Sequence, residues 1–224
     1  MDPLTSTQLD LLTGLLSRKA FFSLLDAELE KIKGSPLPLS LAFVDIDHFL
    51  KINDTYGHAT GDEVLKTLAT EARGNLPESV LISRYGGDEF ILLFPETERE
   101  SAFLLMENLR LAISKKVIPA ADTHEPIRGI SISAGISCAP IDGSLKSELL
   151  RKADQALYRA KAAGRGRVKL ATDERMVPKT SHYTQTQLER LTKLAAERQA
   201  GEAELLREAL DDLISKYGVN EIER

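Results

Sequence analysis

The sequence has a single cysteine, Cys138, and no tryptophan. One cysteine excludes an internal disulfide, and with it the small folds that several disulfides hold together. Cys138 lies in the apolar run Ile130–Ala139, where a free thiol fills the core as a small hydrophobe rather than serving as a nucleophile. That cysteine usage points to a reducing compartment, the cytoplasm. Met1–Asp10 is polar and has neither the basic start nor the apolar stretch of a secretion signal. No run approaches the roughly 18–20 apolar residues that span a bilayer. The expectation is a cytoplasmic chain without a membrane sensor. Basic surplus is missing too: a net charge of -5 leaves no global field to hold nucleic acid. Locally the balance reverses, since Arg151–Lys169 carries seven Lys/Arg against one acid, Asp154.

The rest is an ordinary globular composition, 42% hydrophobic and 28% charged. With 224 residues it suffices for one good-sized domain and a small second one. The pattern divides into a leader (1–10), a mixed segment (11–170), a linker (171–177) and a helix-rich tail (178–224). In Arg18–Lys33, Phe21, Phe22, Leu24, Leu25 and Leu29 recur at helical spacing, and Pro36 and Pro38 close that element. Leu39–Asp47 is a short, largely apolar run, as expected of a central strand covered on both faces. Gly61–Arg73 reads as a helix with Val64, Leu65 and Leu68 inward. Val80–Tyr85 and Glu89–Phe94 are strand-like runs around Gly86-Gly87, which is a hairpin signature. Glu98–Lys116 is a further helix, Ile130–Ala139 a strand, and Lys146–Ala163 a helix ending near Gly164. The alternation predicts an α/β (α+β) sandwich with mostly antiparallel strands at its centre.

The acids are placed unusually. Asp45 and Asp47 sit at the end of the apolar strand, and Asp88 and Glu89 at the hairpin tip. Carboxylates there are costly unless something positive binds them. Hard oxygen ligands in this number suit Mg²⁺, with substrate phosphates completing the shell. Gly86 and Gly87 allow positive φ and a close phosphate. By itself the four-residue string also fits a surface hairpin with solvated acids.

The string is not isolated. Arg84-Tyr85-Gly86-Gly87-Asp88-Glu89-Phe90 resembles the signature of the GGDEF family of diguanylate cyclases. Asp10-Leu11-Leu12-Thr13-Gly14-Leu15 is similar to that family's opening motif. Phe43–Phe49, then Asn53–His58 and Gly61-Asp62, resemble its metal- and base-binding segment. Ala153–Lys161 with Gly164-Arg165 resembles its closing helix. The resemblance implies a palm-like fold and an enzyme that joins two GTP into cyclic di-GMP and releases two pyrophosphates. It implies two Mg²⁺ (Mn²⁺ as an alternative) held by Asp45, Asp88 and the Ile46 carbonyl. Asp45, Asp88 and Glu89 are then the catalytic acids, Glu89 assisting deprotonation of the 3′-hydroxyl. Phosphates are implied at the Phe49 backbone, Lys161 and Arg165, and guanine at Asn53 and Asp62. A carboxylate accepts both N1–H and the 2-amino group of guanine, a pairing adenine does not offer. Two positions depart from the pattern. Leu50 stands where the family has a lysine near the phosphates, with Lys51 beside it. Pro77-Glu78-Ser79-Val80 stands where many members carry an RxxD product site, so no inhibitory product site is expected.

One such domain binds one GTP, so two must meet, and the tail is the candidate for pairing them as a homodimer. Met176–Thr184 is strand-like. Leu188, Leu191 and Leu194 follow at helical spacing to about Arg198, and a second helix carries Leu205, Leu210, Leu213 and Ile214 to Gly218. Strand, helix, turn, helix resembles the ribbon-helix-helix family of DNA-binding dimers. That resemblance implies double-stranded DNA as a partner, with Lys179, Thr180 and His182 at its surface. Gly201 departs from it, standing where a phosphate-contacting Ser or Thr is usual. From Ala171 onward the chain holds eight Lys/Arg against eleven acids, so any such contact is local. Three readings stay open: a cyclase dimerised by its tail and regulated on DNA, a weakly catalytic sensor of GTP or cyclic di-GMP in a ribbon-helix-helix transcription factor, and a cyclase with a structural tail.

Overall fold

The structure, a computed structural model, describes residues 8–35, 37–120, 126–171, 181–198 and 202–217. It divides into two compact units, Met1–Arg175 and Met176–Arg224.

The first unit runs α1 (Arg18–Ile32), β1 (Leu39–Ile46), α2 (Phe49–Tyr56), α3 (His58–Asn75), β2 (Leu81–Gly86), β3 (Glu89–Pro95), α4 (Arg99–Ser114), β4 (Val117–Ile118), β5 (Ile127–Arg128), β6 (Ile132–Ala139), α5 (Lys146–Ala162) and β7 (Val168–Leu170). Five strands form one sheet in the order β2-β3-β1-β6-β7, and β4 and β5 pair separately. The pairings β1·β3, β1·β6 and β2·β3 are antiparallel and β6·β7 is parallel. The central sheet is therefore mixed, its one parallel pairing coming from the short strand β7.

β1 is buried along its whole length, because alternate side chains enter two different cores. Ala42, Val44 and Ile46 join Val64, Leu65 and Leu68 of α3 and Met106 and Leu109 of α4. Leu39, Leu41 and Phe43 join Phe21 and Leu25 of α1 and Leu149, Ala153 and Leu157 of α5. A strand covered on both faces has no polar alternation, which is why Leu39–Ile46 is largely apolar, with only Ser40 and Asp45 polar. Parity then places the acids. Asp45 continues the series Leu41, Phe43 toward the α5 face, and Glu89 pairs directly with it across the β1·β3 ladder. Cys138 is 1% exposed and lies in the core.

α5 approaches β6 closely because the facing residues are small. Gly135 has no Cβ, and one placed there would collide with the Ala153 carbonyl oxygen and the Leu157 amide nitrogen. The Ser137 hydroxyl donates to the Leu149 carbonyl at 2.8 Å, and α5 presents Ala153, Ala156 and Ala160 as buried residues.

The second unit holds α6 (Gln185–Arg198) and α7 (Glu202–Lys216). The strand expected over Met176–Thr184 is absent from its described part: 181–184 has no regular structure, and 176–180 lies outside the described residues. Thr184 is instead committed to the start of α6. Its amide donates to Gln187 Oε1 at 2.9 Å and the Gln187 amide returns to Thr184 Oγ1 at 3.3 Å, a capping box. A ribbon of the expected kind also pairs strands from two chains, and one chain alone offers no ladder for it.

Candidate active site

The site forms where β1 ends and the β2–β3 hairpin turns. Gly86 pairs with Glu89, leaving Gly87 and Asp88 as the two-residue turn. Gly87 has φ +52°, the conformation that a tight turn asks of its first central residue and that glycine adopts without strain. Arg84 clamps this turn: its Nε and Nη2 donate to the Gly87 carbonyl at 2.9 and 2.8 Å. Arg84 also faces Asp10 at 3.7 Å, whose Oδ1 accepts from the Thr13 amide and hydroxyl at 2.8 and 2.7 Å. The opening turn is thus tied to the hairpin tip. The register slips between Arg84 and Gly86, and Tyr85 at that slip packs edge-on against Phe43 and under Arg18.

Three of the expected acids meet here with one cation. Asp45 is 7% exposed, and its Oδ2 lies 2.7 Å from Lys161 Nζ of α5. The Ile46 amide donates to the Asp88 carbonyl at 3.3 Å, which fixes the hairpin tip against the end of β1. Burial pushes the Asp45 carboxyl above the ordinary range; Lys161 pulls it back down, and Asp88 and Asp47 raise it further. Glu89 is raised as well, first by burial and then by the negative charge of Asp45, against which Lys161 acts. Crowded, half-desolvated carboxylates with raised pKa are characteristic of sites built to receive a cation or a proton.

Among the described residues, no three His, Cys, Asp or Glu side chains converge as a ready-made metal cage. Mg²⁺ does not need one, since it keeps several waters and takes one or two carboxylates plus substrate phosphates. The donor set fits that habit: carboxylates at Asp45 and Asp88, the carbonyl of Ile46, whose amide bonds the Asp88 carbonyl, and an ammonium already drawn to Asp45.

Asp47, read from sequence as another acid needing a cation, is instead fully hydrogen-bonded. It is 4% exposed, with Oδ1 accepting from Ser133 Oγ at 2.7 Å and Oδ2 accepting from Ser131 Oγ at 2.6 Å and the Gly166 amide at 2.9 Å. Neither serine carried a sequence signal of its own.

α2, which sequence reading did not separate as a helix, starts at Phe49 after His48 at φ +59°. Its first amides face outward from the helix start, where anions are favoured. Leu50 is 72% exposed, and Lys51 is exposed beside it, so the position that lacks the family lysine faces solvent. Asn53, on α2, is brought against Gly61 of α3, next to Asp62. A Cβ at Gly61 would collide with Asn53 Oδ1. That oxygen is buried and has no hydrogen-bond partner among the described residues, a costly arrangement that a bound donor would relieve. Asp62 is exposed. Arg165 follows α5, exposed, at φ +61°. Pro77–Val80 forms the turn into β2, the Val80 amide donating to the Pro77 carbonyl at 3.0 Å. His182 is exposed in the second unit, and Lys179 and Thr180 lie outside the described residues.

Comparison with known proteins agrees with this geometry. Residues 7–167 match the family model described as diguanylate cyclase, GGDEF domain. The chain is 44% identical over 163 residues to the diguanylate cyclase DgcP of Pseudomonas aeruginosa, covering 72% of this chain and 24% of that protein. It is 37% identical over 159 residues to the response regulator PleD of Caulobacter vibrioides, covering 71% and 35%. It thus spans about a quarter to a third of these relatives. Among solved structures, the GGDEF domain of DgcB from Caulobacter crescentus, in complex with c-di-GMP, superposes with a TM-score of 0.69 at 32% identity, covering 77% of this chain and 98% of that one. The chain belongs to the GGDEF family of diguanylate cyclase domains.

Proposed function

We propose that the domain is a diguanylate cyclase that condenses two GTP into cyclic di-GMP and releases two pyrophosphates. One observation carries the reading: buried Asp45 and half-buried Asp88 and Glu89 meet Lys161 at the end of β1, a short helix away from the unpartnered Asn53 oxygen. In each half-reaction the 3′-oxygen of one GTP forms a bond to the α-phosphorus of the other. The bond from that phosphorus to the bridging oxygen breaks, and pyrophosphate leaves. Asp45, Asp88 and the Ile46 carbonyl would hold two Mg²⁺, whose charge stabilises both the attacking and the leaving oxygen. Glu89, its pKa raised by burial and by Asp45, accepts the 3′-hydroxyl proton. Lys161, Arg165 and the amides starting at Phe49 hold the phosphates. Asn53 and Asp62 take the guanine edge, and Leu50 adds no charge. Incubating the protein with GTP and Mg²⁺ and measuring cyclic di-GMP and pyrophosphate tests this. GTP binding without either product would instead favour a nucleotide sensor.

Guanine selection gives a sharper test. Asp62→Ser removes the acceptor, and Gly61→Ala drives Asn53 from its place. Each is expected to weaken GTP about tenfold, the equivalent of ~1.4 kcal/mol, while ATP stays as weak as before. An unchanged GTP-to-ATP ratio in Asp62→Ser would remove the guanine assignment.

A domain with one such site works only when a second copy faces it, and the tail supplies a surface for pairing. Ala195 and Leu205 are buried there, whereas Leu188, Leu210, Leu213 and Ile214 are 40–55% exposed. Short helices that leave such a face uncovered are marginal alone, and a second copy would cover it. Deleting Pro178–Arg224 is expected to leave a monomer with little activity at micromolar concentration, read by light scattering and by turnover. A truncated chain with full activity would end the tail's role. The same pairing could bring Lys179, Thr180 and His182 of two chains to DNA. A salt-dependent mobility shift on duplex DNA measures it.

A further inference from the structure

We propose that Asp47 is a positioning residue that fixes the loop delivering Arg165 to the triphosphate. This rests on the cyclase reading for Arg165 itself.

The loop after α5 is conformationally expensive. Gly164, Arg165 and Gly166 have φ of +104°, +61° and +57° in succession. The glycines adopt this freely, but Arg165 does not, and a non-glycine residue stays in that region only where its surroundings over-determine it. Two restraints flank it. The Arg165 amide donates to the Ala160 carbonyl of α5 at 3.1 Å, and the Gly166 amide donates to Asp47 Oδ2 at 2.9 Å. The guanidinium, by contrast, is exposed. An exposed side chain therefore rises from a fixed backbone point.

Asp47 suits this task and not that of a free ligand. Its two oxygens take three donors, Ser133 on one and Ser131 with Gly166 on the other. Its own amide is held by the Ser131 carbonyl at 2.9 Å. Ser133 Oγ also accepts from the Gly166 amide at 3.2 Å, so serine and carboxylate grip the same N–H. The Gly166 N–H can only donate, so it needs an acceptor at this position, which a carboxylate supplies and an alanine removes. The end of β1 thereby governs both phosphate cations: Asp45 holds Lys161 directly, and two residues on, Asp47 holds the backbone beside Arg165.

The test uses the full chain, with binding of GTP and of GMP measured in the presence of Mg²⁺. In Asp47→Ala, GTP affinity is expected to fall about tenfold and GMP affinity to stay within twofold, since GMP lacks the phosphates Arg165 would meet. The double variant Asp47→Ala/Arg165→Ala is expected to bind GTP no worse than Arg165→Ala, because Asp47 acts through Arg165. Equal loss of GTP and GMP, an additive double variant, or unchanged GTP binding would each overturn the proposal. So would an altered Mg²⁺ requirement, which would make Asp47 a metal ligand. If Asp47→Ala does not fold, Ser131→Ala and Ser133→Ala each remove one donor, and the same GTP-specific loss is expected at about threefold. Both serine variants binding GTP normally would overturn it. If Arg165→Ala alone leaves GTP binding intact, the phosphate role of Arg165 fails, a result separate from failure at Asp47.

Discussion

Asp45→Asn and Asp88→Asn are each expected to lower the cyclase rate by ~10³-fold or more while leaving the fold intact. The rate falls because each substitution removes a carboxylate from the point where phosphate charge would be stabilised, where a single lost electrostatic contact already costs on the order of 10²–10³. The fold survives because Lys161, the partner of Asp45, has a side chain 33% exposed and can turn to water, which holds the change in stability to about 1 kcal/mol or less. Thermal melts beside product assays separate the two effects. A variant that keeps a tenth of wild-type activity would remove Asp45 from the site. The pH dependence follows from the same burial. Asp45 and Glu89 hold their protons above the ordinary carboxylate range, so a metal must displace those protons, and its apparent affinity rises with pH through that window. For the metal-free chain the sign is opposite. The folded state binds these protons more tightly than the unfolded one, so stability falls as pH rises from about 4 toward the raised values. A melting temperature that rises over that interval in the metal-free protein, relative to Asp45→Asn, would contradict the raised pKa of Asp45.

Gly135→Val is expected to prevent folding, and Gly135→Ala to lower the melting temperature by roughly 5–10 °C, corresponding to about 2–3 kcal/mol. The added Cβ meets backbone atoms of α5, Ala153 and Leu157, and backbone cannot rotate away as a side chain can. Relief requires α5 to lift from β6, which would carry Lys161 away from Asp45 and move the loop of Arg165. Activity in Gly135→Ala is therefore expected to fall more than the loss of folded protein explains, a comparison that needs only a melt and a rate below the transition. A melting temperature within two degrees of wild type would show that α5 is not held this tightly.

Much of this is legible in the sequence. The apolar run Leu39–Ile46, the hairpin around Gly86-Gly87 and the helices at Arg18, Arg99 and Lys146 lie where periodicity and turn chemistry put them, because each signal is local. α2 was not separated as a helix, since its eight residues bury none fully and have no side-chain cap. β7 was missed because three residues, Val168–Leu170, are too few to show a period, and their pairing with β6 is parallel and remote in sequence. The tail strand was expected from composition, and within 181–184 the hydrogen bonds of Thr184 go to the start of α6 instead.

The sequence alone determined the family, the identity of the acids and the place of the tight turn, because these depend on residue type and short spacing. Which acids are free and which are spent was decided only by the tertiary structure. Asp45 and Asp47 look equivalent in Asp45-Ile46-Asp47, yet one meets Lys161 from α5 and the other is closed off by Ser131, Ser133 and Gly166. Those partners lie more than eighty residues away, and a hydrogen bond over that distance in sequence leaves no mark on the residues next to it.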